Sequence, residues 1–226
     1  GRFDDLVAAA NTTPIPAPQC ASAGVCRSEV TGEDILLMTQ NLLLIKDPVP
    51  ALGIPGWNAL AEAIVAAEQG DASAFSREIA TDETSHLFPE LAIACVDWRT
   101  DLATWDDLAA YELFGKVISP HTQGATQTWT ILTGCMDWSV PVANPPGEWD
   151  VTGAPPILIV NATHDPSTSY LWAQLMREQI DGSVLLTREG DGHTSFFLAD
   201  DSATRAAITH YLLTGETPPP NTVVPN

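Results

Sequence analysis

The stretch that decides the fold is Pro156-Ile-Leu-Ile-Val160, a continuous apolar run of strand length. A helical pattern follows over residues 168–180, and a second apolar run, Ser183-Val-Leu-Leu-Thr187, comes after it. A final helical pattern covers residues 202–213. Apolar runs without alternation are typical of parallel strands that are covered on both faces. The order strand, helix, strand, helix therefore predicts an α/β unit with a parallel sheet and right-handed crossovers.

The residues before this unit have a different character. Prolines interrupt them repeatedly, at positions such as 48, 50 and 55. Between the prolines, apolar residues recur at helical spacing in residues 3–10, 31–43, 57–69, 101–118 and 124–134. We expect a mainly helical region over residues 1–145 and an α/β region over residues 146–226.

Two apolar parallel strands do not form a stable sheet by themselves. Isolated two-stranded sheets are only marginally stable in water. Here both apolar faces and both edges of the sheet would have to be buried by other parts of the structure. The first 150 residues contain no other convincing buried strand. The simplest interpretation is that strands of another chain complete the sheet. The alternative is a small self-contained fold in which segments such as residues 91–98 are extra strands.

Composition excludes several classes of function. The 226 residues are 45% hydrophobic and 17% charged, which is sufficient for a globular core. Asp and Glu number 29 against 9 Lys and Arg, so the formal charge is −20, and such a surface repels nucleic acid. No apolar run of about 18 residues exists, so we expect no membrane span. The acidic pairs at residues 106–107 and 200–201 are interpreted as solvated faces.

The cysteine pattern favours disulfides. Cys20, Cys26, Cys95 and Cys135 are present, and no pair has the C-x-x-C spacing of a redox or zinc site. An even number of cysteines allows three pairings here. Pairing Cys20 with Cys26 closes a small loop and leaves Cys95 with Cys135. Four free, buried thiols are the alternative.

Two N-glycosylation sequons occur, Asn11-Thr-Thr13 and Asn161-Ala-Thr163. Asn11 lies in a polar, proline-rich stretch, where an oligosaccharide can be attached. Asn161 ends the predicted buried strand, and we expect it to remain unmodified. Disulfides together with a sequon point to an oxidising, extracellular setting. The chain starts without Met, and we interpret Gly1 as a processed end or as an artificially chosen boundary.

Two side chains capable of acid–base chemistry follow the two predicted strands. Asp165 lies just beyond the first strand, and His193 lies just beyond the second, in Gly190-Asp-Gly-His193. Neighbouring parallel strands place their carboxyl ends side by side, and functional groups gather there. A carboxylate in that place fixes the imidazole tautomer and stabilises the imidazolium. We predict that Asp165 and His193 form a catalytic pair, with a structural core histidine as the alternative.

The other histidines lack this context. His164 is interpreted as an exposed loop residue rather than part of the site, although it is adjacent to Asp165. The isolated His86, His121 and His210 are interpreted as surface or packing residues. No spacing typical of metal ligands is present, so we predict neither a metal nor a cofactor.

The nucleophile is missing from this pattern. A histidine–carboxylate pair acts on a serine that is commonly presented in G-x-S-x-G, on a sharp turn between a strand and a helix. The 226 residues lack this pentapeptide. The most similar segment, Cys20-Ala-Ser22-Ala-Gly24, has no predicted strand before it. Ser195 follows His193 too closely in sequence to be presented to it. The sequence therefore predicts an acid and a histidine without their serine.

These segments resemble the α/β-hydrolases, and more narrowly the secreted tripeptidyl-aminopeptidase-like (TAP-like) group with its prolyl-aminopeptidase relatives. Residues 155–169 resemble the group's strand and acid loop, and Gly190-Asp-Gly-His193 resembles its histidine loop. Further similar stretches are residues 57–71, 92–98, 135–138 and 207–219. Two departures stand out, because Asn161 replaces a frequent glycine and the tail lacks the terminal cysteine.

The resemblance covers only the second half of the family's fold. It implies a helical lid in residues 1–145, the C-terminal portion of an α/β-hydrolase core in residues 146–226, and a Cys95–Cys135 disulfide. It also implies Asp165 as the acid and His193 as the base of a triad. The serine and the oxyanion hole would lie on a companion N-terminal chain, produced by cleavage of a precursor near the lid.

Three functions are compatible with these residues. The first, which the resemblance implies, is a two-chain secreted serine hydrolase of the aminopeptidase type, acting on peptides with free amino termini. The second keeps the chemistry but acts on an apolar ester or lactone, in a pocket lined by some of the seven tryptophans. The third is a non-catalytic binding subunit, against which the intact acid and histidine loops argue.

Overall fold

The computed structural model describes residues 1–79, 87–98, 102–125, 127–142, 145–198 and 202–225. The chain divides into two compact units, residues 1–41 with 59–146 and residues 42–58 with 147–226. Residues 42–58 thus group with the C-terminal part of the chain, although they interrupt the first unit in sequence. His86 and the acidic pair at 200–201 lie outside the described residues. No described helix combines the length and the apolar character that crossing a membrane requires.

The first unit is built mainly from helices. Their bounds are α1 (Arg2–Thr12), α2 (Pro18–Ala23), α3 (Gly32–Leu43), α4 (Asn58–Glu68), α5 (Leu87–Asp97), α6 (Trp105–Ile118) and α7 (Gln127–Gly134). A 3₁₀ turn covers Ser73–Phe75, and two short strands, β1 (Ile15–Pro16) and β2 (Glu29–Val30), pair antiparallel. The helices predicted from the apolar spacing are therefore present.

Two of these helices begin where capping residues place them. The backbone N–H and hydroxyl of Thr31 donate to the Asp34 carboxylate at 3.0 and 2.8 Å, and the Asp34 N–H donates back to the Thr31 hydroxyl. Thr104 and Asp107 make the same reciprocal bonds at the start of α6. Such capping boxes satisfy N–H groups that have no partner within the first turn.

Gly32 allows α3 to begin directly against α1. A Cβ atom at Gly32 would lie 2.2 Å from the carbonyl oxygen of Val7 and 2.6 Å from the Asn11 side chain. Val7 is buried, and Ile35 and Phe75 are completely buried. The core of the first unit therefore includes the contact between α1 and the start of α3.

Residues 91–98 are not a strand, because residues 91–97 belong to helix α5. Leu91 packs so closely against Gly134 of α7 that a Cβ atom there would lie 2.6 Å from the leucine side chain. The alternative of extra strands in this segment is therefore wrong. A short apolar run does not distinguish a strand from a buried helix by its periodicity, and here the packing of α5 on α7 decides.

Both cysteine pairs are disulfides. Cys20 bonds to Cys26, 6 residues away, and Cys95 bonds to Cys135, 40 residues away. The second bond links α5 to the residue that follows α7. All four cysteines are thereby used.

Removing the two disulfides is expected to cost different amounts of stability. Serine at Cys95 and Cys135 should lower the free energy of unfolding by about 4 kcal/mol, and serine at Cys20 and Cys26 by about 2 kcal/mol. A cross-link restricts the unfolded chain, and the restriction grows with the number of residues in the closed loop. Urea unfolding of the two double variants measures both losses. Equal losses would contradict the argument from loop length.

The second unit contains a parallel three-stranded sheet in the order β3, β4, β5. The strands are β3 (Leu158–His164), β4 (Val184–Asp191) and β5 (Val223–Pro225), and the helices are α8 (Tyr170–Gln179), α9 (Ser195–Leu198) and α10 (Ser202–Thr214). Ile159, Leu185 and Ala173 form a buried cluster where α8 packs on β3 and β4. The predicted α/β unit with parallel strands is therefore confirmed.

The predicted two-stranded sheet is wrong in one respect, because β5 pairs with the outer edge of β4. β5 has three residues and follows the prolines at 218–220, so no local pattern distinguishes it from an irregular tail. Its pairing places Val223 opposite Thr187, a contact that neighbouring residues in sequence do not encode. On the other side, β3 pairs with β4 alone among the described residues, so one edge of β3 is open.

Candidate active site

Asp165 follows the last residue of β3, at the carboxyl end of the strand. Its side chain is 5% exposed. Oδ1 accepts hydrogen bonds from the backbone N–H groups of Ser167 and Thr168, both at 2.8 Å. Oδ2 accepts a hydrogen bond from the Thr168 hydroxyl at 2.9 Å. The turn that leads into α8 therefore binds the acid and fixes its orientation.

The pKa of Asp165 is set by two opposing effects. Burial raises this pKa, because it removes water from the charged carboxylate. Hydrogen bonds from the Thr168 N–H, the His193 ring, the Ser167 N–H and the Thr168 hydroxyl lower it. The hydrogen bonds prevail, and the pKa of Asp165 lies below its ordinary value. The carboxyl group is therefore ionised at neutral pH.

His193 lies two residues after the end of β4 and contacts Asp165. Its Nδ1 atom is 2.9 Å from Oδ2 and 3.2 Å from Oδ1 of the carboxylate. Because an ionised carboxylate only accepts hydrogen bonds, Nδ1 of the neutral ring carries the proton and donates it. Nε2 then presents a lone pair, and among the described residues it has no hydrogen-bond partner. The imidazole is 31% exposed, so Nε2 can accept a proton from another group.

The loop of residues 190–194, called here the histidine loop, is tied to the end of β3. The Gly190 N–H donates to the Thr163 hydroxyl at 3.0 Å, and the Gly192 N–H donates to the His164 carbonyl at 3.1 Å. Gly192 has a φ of 92°, a conformation that favours glycine. The G-x-G sequence thus permits the turn that brings the imidazole to the acid.

Arg188 supports the histidine loop from within β4. The side chain is buried, and its Nη2 atom donates to the carbonyl oxygens of Asp191 and Gly192, both at 2.9 Å. Its Nε atom donates to the Ser195 hydroxyl at 3.2 Å. A planar guanidinium can reach several acceptors at once, which a lysine ammonium does less well. Sequence reasoning missed this residue, and the available signal was a charged side chain directly after an apolar strand pattern.

The remaining serine and histidine candidates have other partners. Ser195 is buried and engaged by Arg188, as described above. Ser22 is exposed on α2 and donates to the Gln19 carbonyl. His164 is exposed, as predicted, with its Nδ1 3.5 Å from Asp191.

Two further histidines contact carboxylates at the surface. His121 faces Asp4, and His210 faces Glu216, and both histidine side chains are exposed. Among the described residues, no group of three or more His, Cys, Asp or Glu side chains is arranged to hold a metal ion.

The two sequon asparagines differ in accessibility. Asn11 lies on α1 and is exposed, and its glycosylation stays a prediction. Asn161 is buried in β3, and its Nδ2 atom donates to the Thr168 carbonyl at 3.1 Å. Asn161 therefore ties the strand to the turn that holds Asp165, at the position where the resemblance leads us to expect glycine.

Replacing Thr168 with valine is expected to raise the pKa of Asp165 towards its ordinary value. Valine keeps the shape of the side chain but removes the hydroxyl that donates to Oδ2 at 2.9 Å. NMR titration of the Asp165 carboxyl carbon measures the change. Thr12→Val is the matched control, because its hydroxyl is exposed and donates to the Ala8 carbonyl. An unchanged titration of Asp165 in Thr168→Val would contradict this account of the acid.

The sheet and the Asp165–His193 pair have an arrangement that is known from one class of protein. In α/β-hydrolases, the acid follows one parallel strand and is hydrogen-bonded to a histidine that follows the next. Residues 119–224 match the family model of the TAP-like proteins. Over residues 119–224 the chain is therefore similar to the TAP-like family of α/β-hydrolases.

The chain is also similar to individual proteins of mycobacteria. Over 130 residues the chain is 33% identical to the serine protease Hip1 of Mycobacterium tuberculosis and of Mycobacterium bovis. Over the same length it is 32% identical to carboxylesterase B of Mycobacterium tuberculosis. Each match covers 57% of this chain and 24% of the relative. The chain thus matches about a quarter of the length of these relatives.

Proposed function

We propose that this chain supplies the acid and the base of a secreted serine hydrolase, whose serine and oxyanion-hole donors lie on a companion polypeptide. The observation that carries the proposal is the pair itself. Nδ1 of His193 is 2.9 Å from the Asp165 carboxylate, and Nε2 has no partner among the described residues. Names of relatives agree with a hydrolase, since one is called a serine protease and another a carboxylesterase.

In the proposed mechanism, Nε2 of His193 accepts the serine proton while the serine oxygen attacks the substrate carbonyl. The ionised Asp165 stabilises the imidazolium that results. The imidazolium then protonates the leaving group, and an acyl-enzyme remains. Water then attacks the acyl-enzyme while the same nitrogen takes a proton from it. The imidazolium returns this proton to the serine oxygen as the acyl group is released. This chain's part is therefore to hold and return one proton at Nε2.

Two features support a serine and further strands outside these 226 residues. The 226 residues lack a G-x-S-x-G elbow, and the Ser195 hydroxyl is bound by Arg188. Among the described residues, β3 has a strand partner on one edge only, and an open strand edge is a template for another strand. A strand from the companion, paired with β3, would extend the sheet on the side where it is incomplete.

The exposed apolar side chains of α8 support the same docking site. Leu171, Trp172, Leu175 and Met176 are all exposed and fall on one face of the helix, at spacings of one, four and five residues. The opposite face of α8 lines a groove beside β4 and β5, with Gln174 and Arg177 among its residues. The apolar face, called here the α8 stripe, therefore points away from β5.

A photo-crosslinking experiment tests this docking site. With benzoylphenylalanine at Trp172 in the complete enzyme, we expect crosslinks to the polypeptide that carries the serine. The control places the same probe at Glu178, which lines the groove on the β5 side. Mass spectrometry identifies the crosslinked peptides. Crosslinks from Trp172 only to a second copy of this chain, or none, would exclude the α8 stripe as the docking surface.

The proposed substrate class rests on the resemblance to the family, and an assay can distinguish the candidate substrates. We favour peptides with free amino termini, and esters are the second candidate because one relative is named a carboxylesterase. Two disulfides fit an oxidising, extracellular location. A panel of aminoacyl amides, peptidyl amides and plain esters distinguishes the candidates. Faster turnover of plain esters than of every amide would reverse the preference.

A fluorophosphonate probe tests the core of the proposal on the protein isolated from its source. We expect the label on a serine outside these 226 residues, and intact-mass measurement should find that serine on a separate polypeptide. Label on the same polypeptide would refute the two-chain organisation but leave the triad in place. No labelling under native conditions, or labelling of Ser22 or Ser195, would refute the proposed role of this chain.

A further inference from the structure

Residues 42–58, called here the strap, belong to the second unit although they lie far from it in sequence. After the end of α3 at Leu43, their regular structure is one 3₁₀ turn, Pro50–Leu52. Such an irregular segment keeps its shape through specific contacts. Two of its hydrogen bonds reach the histidine loop.

The first contact fixes the backbone of His193. Its N–H donates to the carbonyl oxygen of Leu44 at 2.7 Å. The residues on either side of the histidine have positive φ angles, 92° at Gly192 and 65° at Thr194. A β-branched residue such as threonine is strained at positive φ. The loop conformation around His193 therefore depends on contacts from outside the loop.

The second contact fixes the side chain of Asp191, two residues before His193. Nζ of Lys46 is 2.6 Å from Oδ2 of Asp191, across 145 residues of sequence. The Asp191 carbonyl oxygen accepts from Arg188 at 2.9 Å. Asp191 is therefore held at its backbone by Arg188 and at its carboxylate by Lys46.

Trp57 braces Lys46 on the strap. The Lys46 Nζ atom lies 5.6 Å from the centre of the indole ring, within cation–π distance. The Trp57 backbone N–H donates to the Lys46 carbonyl at 2.9 Å, and its Nε1 donates to the Leu43 carbonyl at 2.9 Å. At Gly56 a Cβ atom would lie 2.6 Å from the Lys46 carbonyl oxygen, so glycine allows this approach. Lys46 thus reaches Asp191 from a fixed position.

We propose that Lys46 is a positioning residue that keeps the imidazole of His193 aligned with Asp165. It acts through Asp191 and the histidine loop and does not contact the reacting atoms. The inference rests on the proposed role of His193 as the base. The Asp191 side chain is 27% exposed, so replacing Lys46 leaves no deeply buried carboxylate without a partner. The positioning role can therefore be separated from a role in folding.

If the Lys46–Asp191 ion pair had only a structural role, its loss would leave kcat unchanged. Exposed ion pairs contribute about 0–1 kcal/mol to stability, so their loss changes stability slightly and catalysis not at all. A positioning residue affects the rate of the chemical step, since displacement of a reacting group by about 1 Å costs up to about 100-fold. The two roles differ in kcat, with KM unchanged in both.

The experiment compares three variants of the complete enzyme, the companion polypeptide included. We expect Lys46→Met to lower kcat about 10- to 100-fold with KM unchanged, and Lys46→Arg to remain within about threefold of the unmodified enzyme. Lys116→Met is the matched control, because Lys116 makes an exposed ion pair with Glu112 within α6. An unchanged kcat in Lys46→Met, or equal losses in Lys46→Met and Lys46→Arg, overturns the proposal.

A double variant tests whether Lys46 acts through Asp191. Asp191→Asn keeps an oxygen acceptor but removes the charge, and it should lower kcat as Lys46→Met does. If the two side chains act as a pair, the double variant should lose no more than the worse single variant. Additive losses of kcat in the double variant would show that Lys46 does not act through Asp191. Asp191→Asn also tests the same contact if Lys46→Met fails to fold.

NMR of the imidazole separates this inference from the proposed function. In the 226-residue chain, the Nδ1–H resonance of His193 reports its hydrogen bond to Asp165. We expect this resonance to shift or broaden in Lys46→Met and to be unchanged in Lys46→Arg and Lys116→Met. A complete enzyme that never reacts with fluorophosphonate refutes the proposed function alone. An unchanged spectrum in Lys46→Met refutes the positioning role.

Discussion

Replacing His193 with alanine is expected to lower kcat of the complete enzyme by about 10⁴- to 10⁶-fold. The substitution removes Nε2, the atom that takes the serine proton and returns it to the leaving group. The serine then has to ionise without a base, and the remaining rate comes from the oxyanion hole and substrate binding. Steady-state hydrolysis and the rate of fluorophosphonate labelling both measure the loss.

The matched control for this variant is His210→Ala. His210 lies on α10, is exposed and pairs with Glu216, so its removal should leave kcat unchanged. Circular dichroism checks that both variants fold. A His193→Ala enzyme that reacts with fluorophosphonate as fast as the unmodified enzyme would exclude His193 as the base.

Replacing Asp165 with asparagine is expected to lower kcat by about 10⁴-fold. An asparagine amide can donate a hydrogen bond to Nδ1, and that favours the tautomer with its proton on Nε2. The nitrogen that should accept the serine proton is then already protonated. The imidazolium also loses the charge that stabilises it. Asp181→Asn, at an exposed position after α8, is the control and should keep full activity.

The same substitution changes how stability depends on pH. Because the pKa of Asp165 is lower in the folded chain than in the unfolded chain, ionised Asp165 stabilises the fold above the unfolded pKa of about 3.9. That contribution is lost as the pH falls through the lower, folded pKa. Between pH 7 and strongly acidic pH, the unmodified chain should therefore lose more stability than Asp165→Asn. Urea unfolding at both ends of this range measures the difference, and equal losses would contradict the depressed pKa.

Much of the fold next to the site could be predicted from local pattern. The apolar run before Asp165 and the G-x-G before His193 predict where two strands end and where the chain turns. Thr31 marks the start of α3 because a capping residue acts on the N–H groups of the next few residues. These features depend on residues that are close in sequence, so a sequence displays them directly.

Other features have no local signal. The apolar run at residues 91–98 suits a strand as well as a helix, and the close contact of Leu91 with Gly134 decides for the helix. β5 has three residues and follows prolines, and it is a strand because β4 lies beside it. Arg188 is recognisable as a support of the histidine loop only once its two carbonyl partners are seen.

Two strands and two helices of the α/β unit, the lack of a serine elbow, and the candidates for acid and base could all be read from the linear order of residues. Apolar periodicity, capping and turn glycines are properties of neighbouring residues, and they survive in the linear order. Only the tertiary structure decided what holds the histidine loop in place. Leu44 and Lys46 reach that loop across about 150 and 145 residues of sequence. Such contacts depend on the path of the whole chain, because a hydrogen bond forms wherever folding brings donor and acceptor together.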